Sequence, residues 1–266
     1  MFFKRTPQIM PQPDIDVRTT PDGWEPGITS IALLNSDQLL VVDWDNRTVK
    51  LVDMVQHKVL YRLSVSGIPY GICTLPDSRA AVTLPEQKNI LILNCSNTLT
   101  IMNTIRVSGE CKDICYCNEQ LVVRYSDPTE KIEILQMNGG VVKRKSLESS
   151  SFIYQNSLSV ITESKVASII VCDYNNRRIL RLDENLHKQQ VYPLPNGVAP
   201  GGVLAVGENQ LLVSGYYGKL WQLDSTMSRW TLLSREGFGY GGTMAFCHIR
   251  HVLYWAGNEV KRYELS

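Results

Sequence analysis

The segment VVDWDNRTVKLVD, residues 41–53, returns as VCDYNNRRILRLD, residues 171–183. A chain that writes one phrase twice folds as a set of similar units. Self-similarity at a period of about 20–50 residues marks solenoids, propellers and arrays, in which each unit buries its apolar face against the next. Taking the apolar strand ahead of the turn as the guide reveals six copies. They are QLLVVDW (38–44), RAAVTLP (79–85), QLVVRYS (120–126), IIVCDYN (169–175), QLLVSGY (210–216) and HVLYWAG (251–257). Aligned on the residue that ends each strand, the anchors are Asp43, Leu84, Arg124, Asp173, Gly215 and Ala256, spaced by 41, 40, 49, 42 and 41 residues.

Every copy reads as strand. An apolar strand precedes the anchor, as in ITSIALL (28–34) or GGVLAV (201–206), and an alternating strand follows it, as from Val49 to Val52 or Ile179 to Leu182. A more polar fourth strand comes last, such as KVLYRL (58–63). Sustained 3.6-residue apolar spacing is absent, so helix is not expected. Four short antiparallel strands repeated six times predict an all-β, six-bladed propeller. The blades are predicted at 28–67, 68–109, 110–151, 152–198, 199–240 and 241–266. The sixth copy stops after three strands. The segment DIDVRT (14–19) supplies the missing outer strand and closes the ring, which pairs an otherwise open edge. Residues 1–13 are then a tail, and 14–266 the propeller.

Two copies share Asp, aromatic, x, Asn, Arg between the second and third strands: Asp43 to Arg47 and Asp173 to Arg177. Asn tolerates positive φ, and Asp and Asn bond to nearby backbone, so D-x-x-N is expected to turn the chain without glycine. The pattern strand, D-x-x-N-x-R-[IV] or its near variant, alternating strand is preceded by Pro69-Tyr70-Gly71-Ile72 in one copy and Pro200-Gly201-Gly202-Val203 in another. In this it resembles the NHL repeat. That resemblance implies a C-terminal recruiting domain like those of tripartite-motif (TRIM-NHL) ubiquitin ligases, which recruit protein or RNA. No RING or B-box cysteine–histidine spacing occurs, so ligase activity would lie in other domains.

Composition limits the function classes. With 27 basic and 26 acidic residues the net charge is +1, which is neither a DNA-binding balance nor a polybasic membrane anchor. No apolar run nears the roughly 18 residues of a membrane span. The start, MFFKRTPQIM, lacks a leader's apolar core. Seven cysteines without a C-x-x-C pair are expected to be reduced thiols in a cytoplasmic protein. Cys115 and Cys117 share a strand face by alternation and are expected in the core. No nucleophile elbow, zinc-protease or P-loop motif occurs. GFGYGG (237–242) leads into a strand, so it offers no helix N-terminus to a phosphate. The histidines His57, His187, His248 and His251 make no metal-like set, and Asp113, Asn156 and Glu25 are the carboxylates and amide an axial metal could use. No cofactor or metal is predicted.

The connections from second to third strand and from blade to blade emerge on one end of a propeller. That end is expected to carry Trp44, Tyr70, Tyr125, Tyr174, Tyr216, Tyr217 and Tyr240, with Arg47, Lys88, Lys112, Arg177 and Lys219. In the second-to-third-strand turns Arg47, Lys88, Arg124, Arg177 and Lys219 face Asp43, Asp45, Glu86, Asp127 and Asp173. Tyr, Trp and Arg dominate protein-interface hot spots, which points to a non-enzymatic module gripping a protein or peptide. Stacking of single-stranded RNA on the aromatics is the alternative, and a propeller enzyme with an axial metal the second alternative.

Overall fold

The computed structural model describes residues 8–126, 130–147, 158–163, 166–207, 209–215, 218–224, 226–235 and 242–266. Strand β1 (Ile9–Ile15) precedes the first blade, which is β2 (Ile28–Leu33), β3 (Gln38–Asp43), β4 (Thr48–Asp53) and β5 (Lys58–Ser64). The second blade holds β6 (Ile72–Leu75), β7 (Arg79–Leu84), β8 (Asn89–Asn94) and β9 (Thr100–Arg106). The third holds β10 (Cys111–Cys117), β11 (Gln120–Tyr125), β12 (Lys131–Leu135) and β13 (Val141–Ser146). The fourth holds β14 (Leu158–Glu163), β15 (Val166–Asp173), β16 (Arg178–Leu182) and β17 (Lys188–Pro193). The fifth holds β18 (Pro200–Ala205), β19 (Leu211–Gly215), β20 (Leu220–Leu223) and β21 (Trp230–Ser234). The last three strands are β22 (Thr243–Cys247), β23 (Val252–Ala256) and β24 (Val260–Leu265), and β1 pairs with β24 to complete that sheet. The architecture is six antiparallel four-stranded blades in a ring, with one helical turn, Pro195–Gly197, among the described residues.

The ring closes by an N-terminal strand, but nine to fifteen form it rather than 14–19, so residues 9–13 are strand and not tail. Pro11 and Pro13 argue against a central strand. At the outer edge of a blade they cost little, because half the amide positions there face solvent rather than a partner.

Apolar residues run without alternation through the second strands because both faces of each blade are covered. Leu39 and Val41 pack with Ala245 and Tyr254 of the sixth blade, while Leu40 and Val42 pack with Ala80 and Val82 of the second. The core is therefore six clusters, each wedged between two blades. Outer strands such as β9 are largely exposed, with Ile105 the buried residue of that strand.

The innermost strands present an unpaired edge to the central channel. Side chains of one blade satisfy backbone N–H groups of the next. Thr243 Oγ1 accepts from Ile31 N at 3.2 Å and Ser30 Oγ from Ile72 N at 3.2 Å. Asp113 Oδ2 accepts from Leu158 N at 2.7 Å and Ser159 Oγ from Ala205 N at 2.9 Å. In all four the acceptor lies on the blade that precedes the donor's around the ring, the sixth blade preceding the first.

The shared turn is built differently from the sequence expectation. Asp43 accepts from Asn46 N at 3.2 Å and Asn46 Nδ2 at 2.9 Å, and Asp173 accepts from Asn176 Nδ2 at 2.9 Å. The positive φ falls one residue later, on Arg47 (51°), Arg177 (52°) and the equivalent Lys88 (53°). Left-handed backbone costs a residue with a Cβ about 1–2 kcal/mol, and glycine is exempt. Arg47→Gly should thus leave stability unchanged or raise it by up to about 1 kcal/mol. Asn46→Gly should cost about 1–2 kcal/mol, because the amide also bonds Trp24 N and O, each at 3.0 Å. Paired urea titrations of the two variants check this, and the reverse order would return the positive-φ role to the asparagine.

Candidate functional site: the aromatic rim of the first three blades

The end of the ring carrying the second-to-third-strand turns is shaped by irregularities that recur from blade to blade. The pairing slips at the start of the inner strands, between Ile28 and Ser30, between Cys111 and Asp113 and between Pro200 and Gly202. A bulge of this kind re-aims the extra side chain. Thr29 is one such residue, and its Oγ1 donates to Tyr70 O at 2.7 Å. Lys112 is another, and its Nζ lies 5.0 Å from the centre of the Tyr70 ring. Gly71 explains the glycine of the P-x-G lead-in: a Cβ there would stand 3.0 Å from Lys112 O, so only glycine lets the two blades approach this closely.

These contacts bring three of the predicted residues together. Trp44 and Tyr70 lie with ring centres 6.4 Å apart and planes inclined by 58°. Trp44 is 45% exposed, so its indole is presented to solvent rather than spent on packing. Burial, and then the nearby Asp113 carboxylate, push the Tyr70 hydroxyl up to about 12. Lys112 also lies 3.8 Å from Glu110. Trp24, which sequence reasoning missed, joins this rim, 71% exposed and pinned through its backbone to Asn46. Its signal was the loop PDGWEP, residues 21–26, which sets a tryptophan between two prolines and beside a glycine.

The other predicted residues divide. Arg47 and Lys88 are exposed at the turn tips of blades one and two, and Tyr174 is half-buried on blade four. Arg177 leans over the loop after β17, where a Cβ on Gly197 would meet its Nη1 at 3.0 Å. Lys219 is half-buried beside β20. Tyr216, Tyr217 and Tyr240 lie outside the described residues, as do Asp127 and Asn156. Tyr125 corrects the expectation of a surface aromatic, for it is fully buried with Lys131 Nζ 4.7 Å from its ring centre. Burial and the neighbouring Glu133 carboxylate push its hydroxyl well up.

The cause is a slip of one residue in the third blade. Pairing places Tyr125, not Arg124, at the position of Asp43, because Tyr125 faces Lys131 as Asp43 faces Thr48. A one-residue shift turns a side chain to the other face of its sheet. Arg124 is therefore buried between blades, bonded to Glu130 and donating to Cys172 O at 2.7 Å. Asp43 and Asp173 are buried as well. The charge match of the turns is therefore internal in large part. Among the described turn residues Arg47, Lys88, Arg177 and Lys219 face outward against Asp45 and Glu86.

Two clusters of charge lie within blades one and three. Lys50 Nζ reaches Asp22 Oδ2 at 2.5 Å and Asp43 Oδ2 at 2.7 Å with all three side chains fully buried. In blade three Glu133 occupies the position of Lys50 and takes Lys131 at 2.9 Å and Arg144 at 2.6 Å. The seven cysteines are free thiols, and Cys115 and Cys117 pack against one cluster as alternation predicts. Burial pushes the Cys111 thiol up to about 12. The central channel, about 290 Å³, is lined by all six inner strands and is mostly apolar. Of the axial candidates, Asp113 accepts from Ile114 N and Leu158 N at 2.8 and 2.7 Å, and Glu25 is exposed and paired with Arg18. Among the described residues no group of three or more His, Cys, Asp or Glu converges, and no helix is long and apolar enough to cross a membrane.

No family model and no curated protein matches the chain. Solved structures match it, 1504 chains, too many for the architecture to select a function. One of them is a hydrazine synthase of Kuenenia stuttgartiensis, 13% identical, with a TM-score of 0.64 over 89% of this chain and 75% of that one. At that identity the likeness is one of fold, that of a β-propeller, and of nothing finer.

Proposed function

We propose that this propeller is a non-enzymatic recognition module that binds a protein or peptide on the rim formed by Trp24, Trp44, Tyr70 and Lys112. The observation that carries the reading is the exposed Trp44 indole set against Tyr70, itself flanked by Lys112. Large aromatics with a polar edge, held rigid and left open, are what interface hot spots are made of. The finer reading, a substrate-recruiting propeller of tripartite-motif ubiquitin ligase type, is supported by the NHL-like turns at 43–49 and 173–179 and by the P-x-G lead-ins.

The test is a peptide-display selection on the wild-type protein followed by Trp44→Ala/Tyr70→Ala. Selected peptides should bind the double variant about 30-fold more weakly, the ~2 kcal/mol of a hot spot, with the melting temperature recorded beside it. Unchanged affinity would remove the reading. A second reading, single-stranded RNA, is favoured by the surplus of outward cations over carboxylates in the described turns. Anisotropy against a randomised RNA pool at two salt concentrations separates them, because phosphate contacts make affinity fall steeply with salt.

A further inference from the structure

Away from the aromatic rim, a cleft of about 120 Å³ opens between blades three and four. At about 30 Å³ per water it has room for roughly four waters. That is well below the ~300 Å³ at which drug-sized ligand sites begin, so its natural occupant is a small group. Val171, Leu180 and Leu182 form apolar wall. Four cations, Arg124, Lys145, Arg178 and Lys188, line it with two carboxylates, Glu130 and Asp173, a surplus of two positive charges.

Both carboxylates are already engaged. Glu130 holds Arg124 through Nε at 3.1 Å and through Nη2, and Asp173 takes Arg178 Nε at 2.6 Å and Asn176 Nδ2 at 2.9 Å. The cations are not used up. Among the described residues, Arg124 places three of its five N–H donors, on Glu130 and on Cys172 O, and Arg178 places one. The side chains of Lys145 and Lys188 make no hydrogen bond or ion pair to any described residue. Low-dielectric walls strengthen whatever charge pairs form inside them.

We propose that this cleft is an oxyanion site of phosphate size, taking phosphate either free or carried on a phosphorylated side chain of a bound protein. Guanidinium groups held by their own carboxylates, with two lysines in the same lining, give a tetrahedral oxyanion several charge-assisted donors at once. The site shares no residue with the aromatic rim, so either can fail without the other.

The experiment measures thermal midpoints and binding at constant ionic strength, with chloride as the balancing anion. Inorganic phosphate at about ten times its Kd should raise the midpoint by about 3 °C, while chloride leaves it unmoved. Lys145→Ala/Lys188→Ala, changes at half-buried and exposed positions that leave the buried charges intact, should weaken phosphate binding about tenfold or more. A serine-phosphorylated peptide that binds more tightly than free phosphate, while its unphosphorylated form does not, assigns the site to a partner's side chain. Equal or weaker binding assigns it to the free ion. No phosphate-specific shift, or an equal shift in the double variant, overturns the proposal.

Discussion

Replacing Lys50 by methionine should cost the propeller about 3–5 kcal/mol, the largest loss expected from any single surface-distant change in blade one. The lysine is fully buried and is the cation shared by Asp22 and Asp43. Without it, Asp43 is left with the neutral donors of Asn46 and Gly27, and Asp22 with Arg62 at 3.1 Å and the Thr19 amide. Urea unfolding of Lys50→Met measures the loss. The triple variant Asp22→Asn/Lys50→Met/Asp43→Asn should recover most of it, because it removes the stranded charges together. A loss below about 1 kcal/mol would mean that the carboxylates find other partners. The same cluster predicts acid lability. Burial opposes the charge on Asp22, but hydrogen bonds from Lys50, Thr19 and Arg62 prevail and hold its carboxyl below the ordinary range. Glu133 is likewise opposed by burial and held down by Lys131, Arg144 and Tyr125. Both folded values lie below the unfolded ones, so the unfolded chain binds more protons in acid. Their contribution is complete above about pH 5 and fades as pH falls through the carboxylate range.

Arg124→Met comes next, at about 3 kcal/mol. It leaves Glu130 without its guanidinium and removes the Arg124 donor from Cys172 O on the neighbouring blade. Because the contact spans two blades, the change should loosen their junction and speed amide exchange in β15 before it affects blade one. Adding Glu130→Gln to the variant should return part of the loss, and a coupling between 0.5 and about 3 kcal/mol in the double-mutant cycle would show that the two act as a pair. Strict additivity would show that Arg124 acts through packing alone.

How much of this was legible beforehand depends on what each residue answers to. The six-fold count and four-strand blades follow from period and alternation, which are backbone properties written at every copy. Tyr125 was misplaced because QLVVRYS matches the other strands equally well in either of two registers, and only the ladder to β12 decides between them. The closing strand was set too late because Pro11 and Pro13 obscure a strand whose outer edge has no partner to disappoint. The meeting of Trp44, Tyr70 and Lys112 comes from three different blades, so no local pattern could have joined them. Lys50 looked like an ordinary polar residue of an alternating strand. Its partner Asp22 lies 28 residues back in a loop, which strand periodicity does not reach.

The four inner-strand bonds, each accepted by one blade and given by the next around the ring, mean that these junctions overlap in one sense, like roof slates laid around a cone. A slate carries its own lip and covers its neighbour's. Cutting a blade out at one of these four junctions strands a donor on one side and an acceptor on the other. The common direction of these four bonds does not itself set how many blades the circle holds. The number six has to come from the wedge angle of the apolar clusters between blades, and it is there, in the volume of residues such as Val41, Val82 and Val213, that a five- or seven-membered relative would be made.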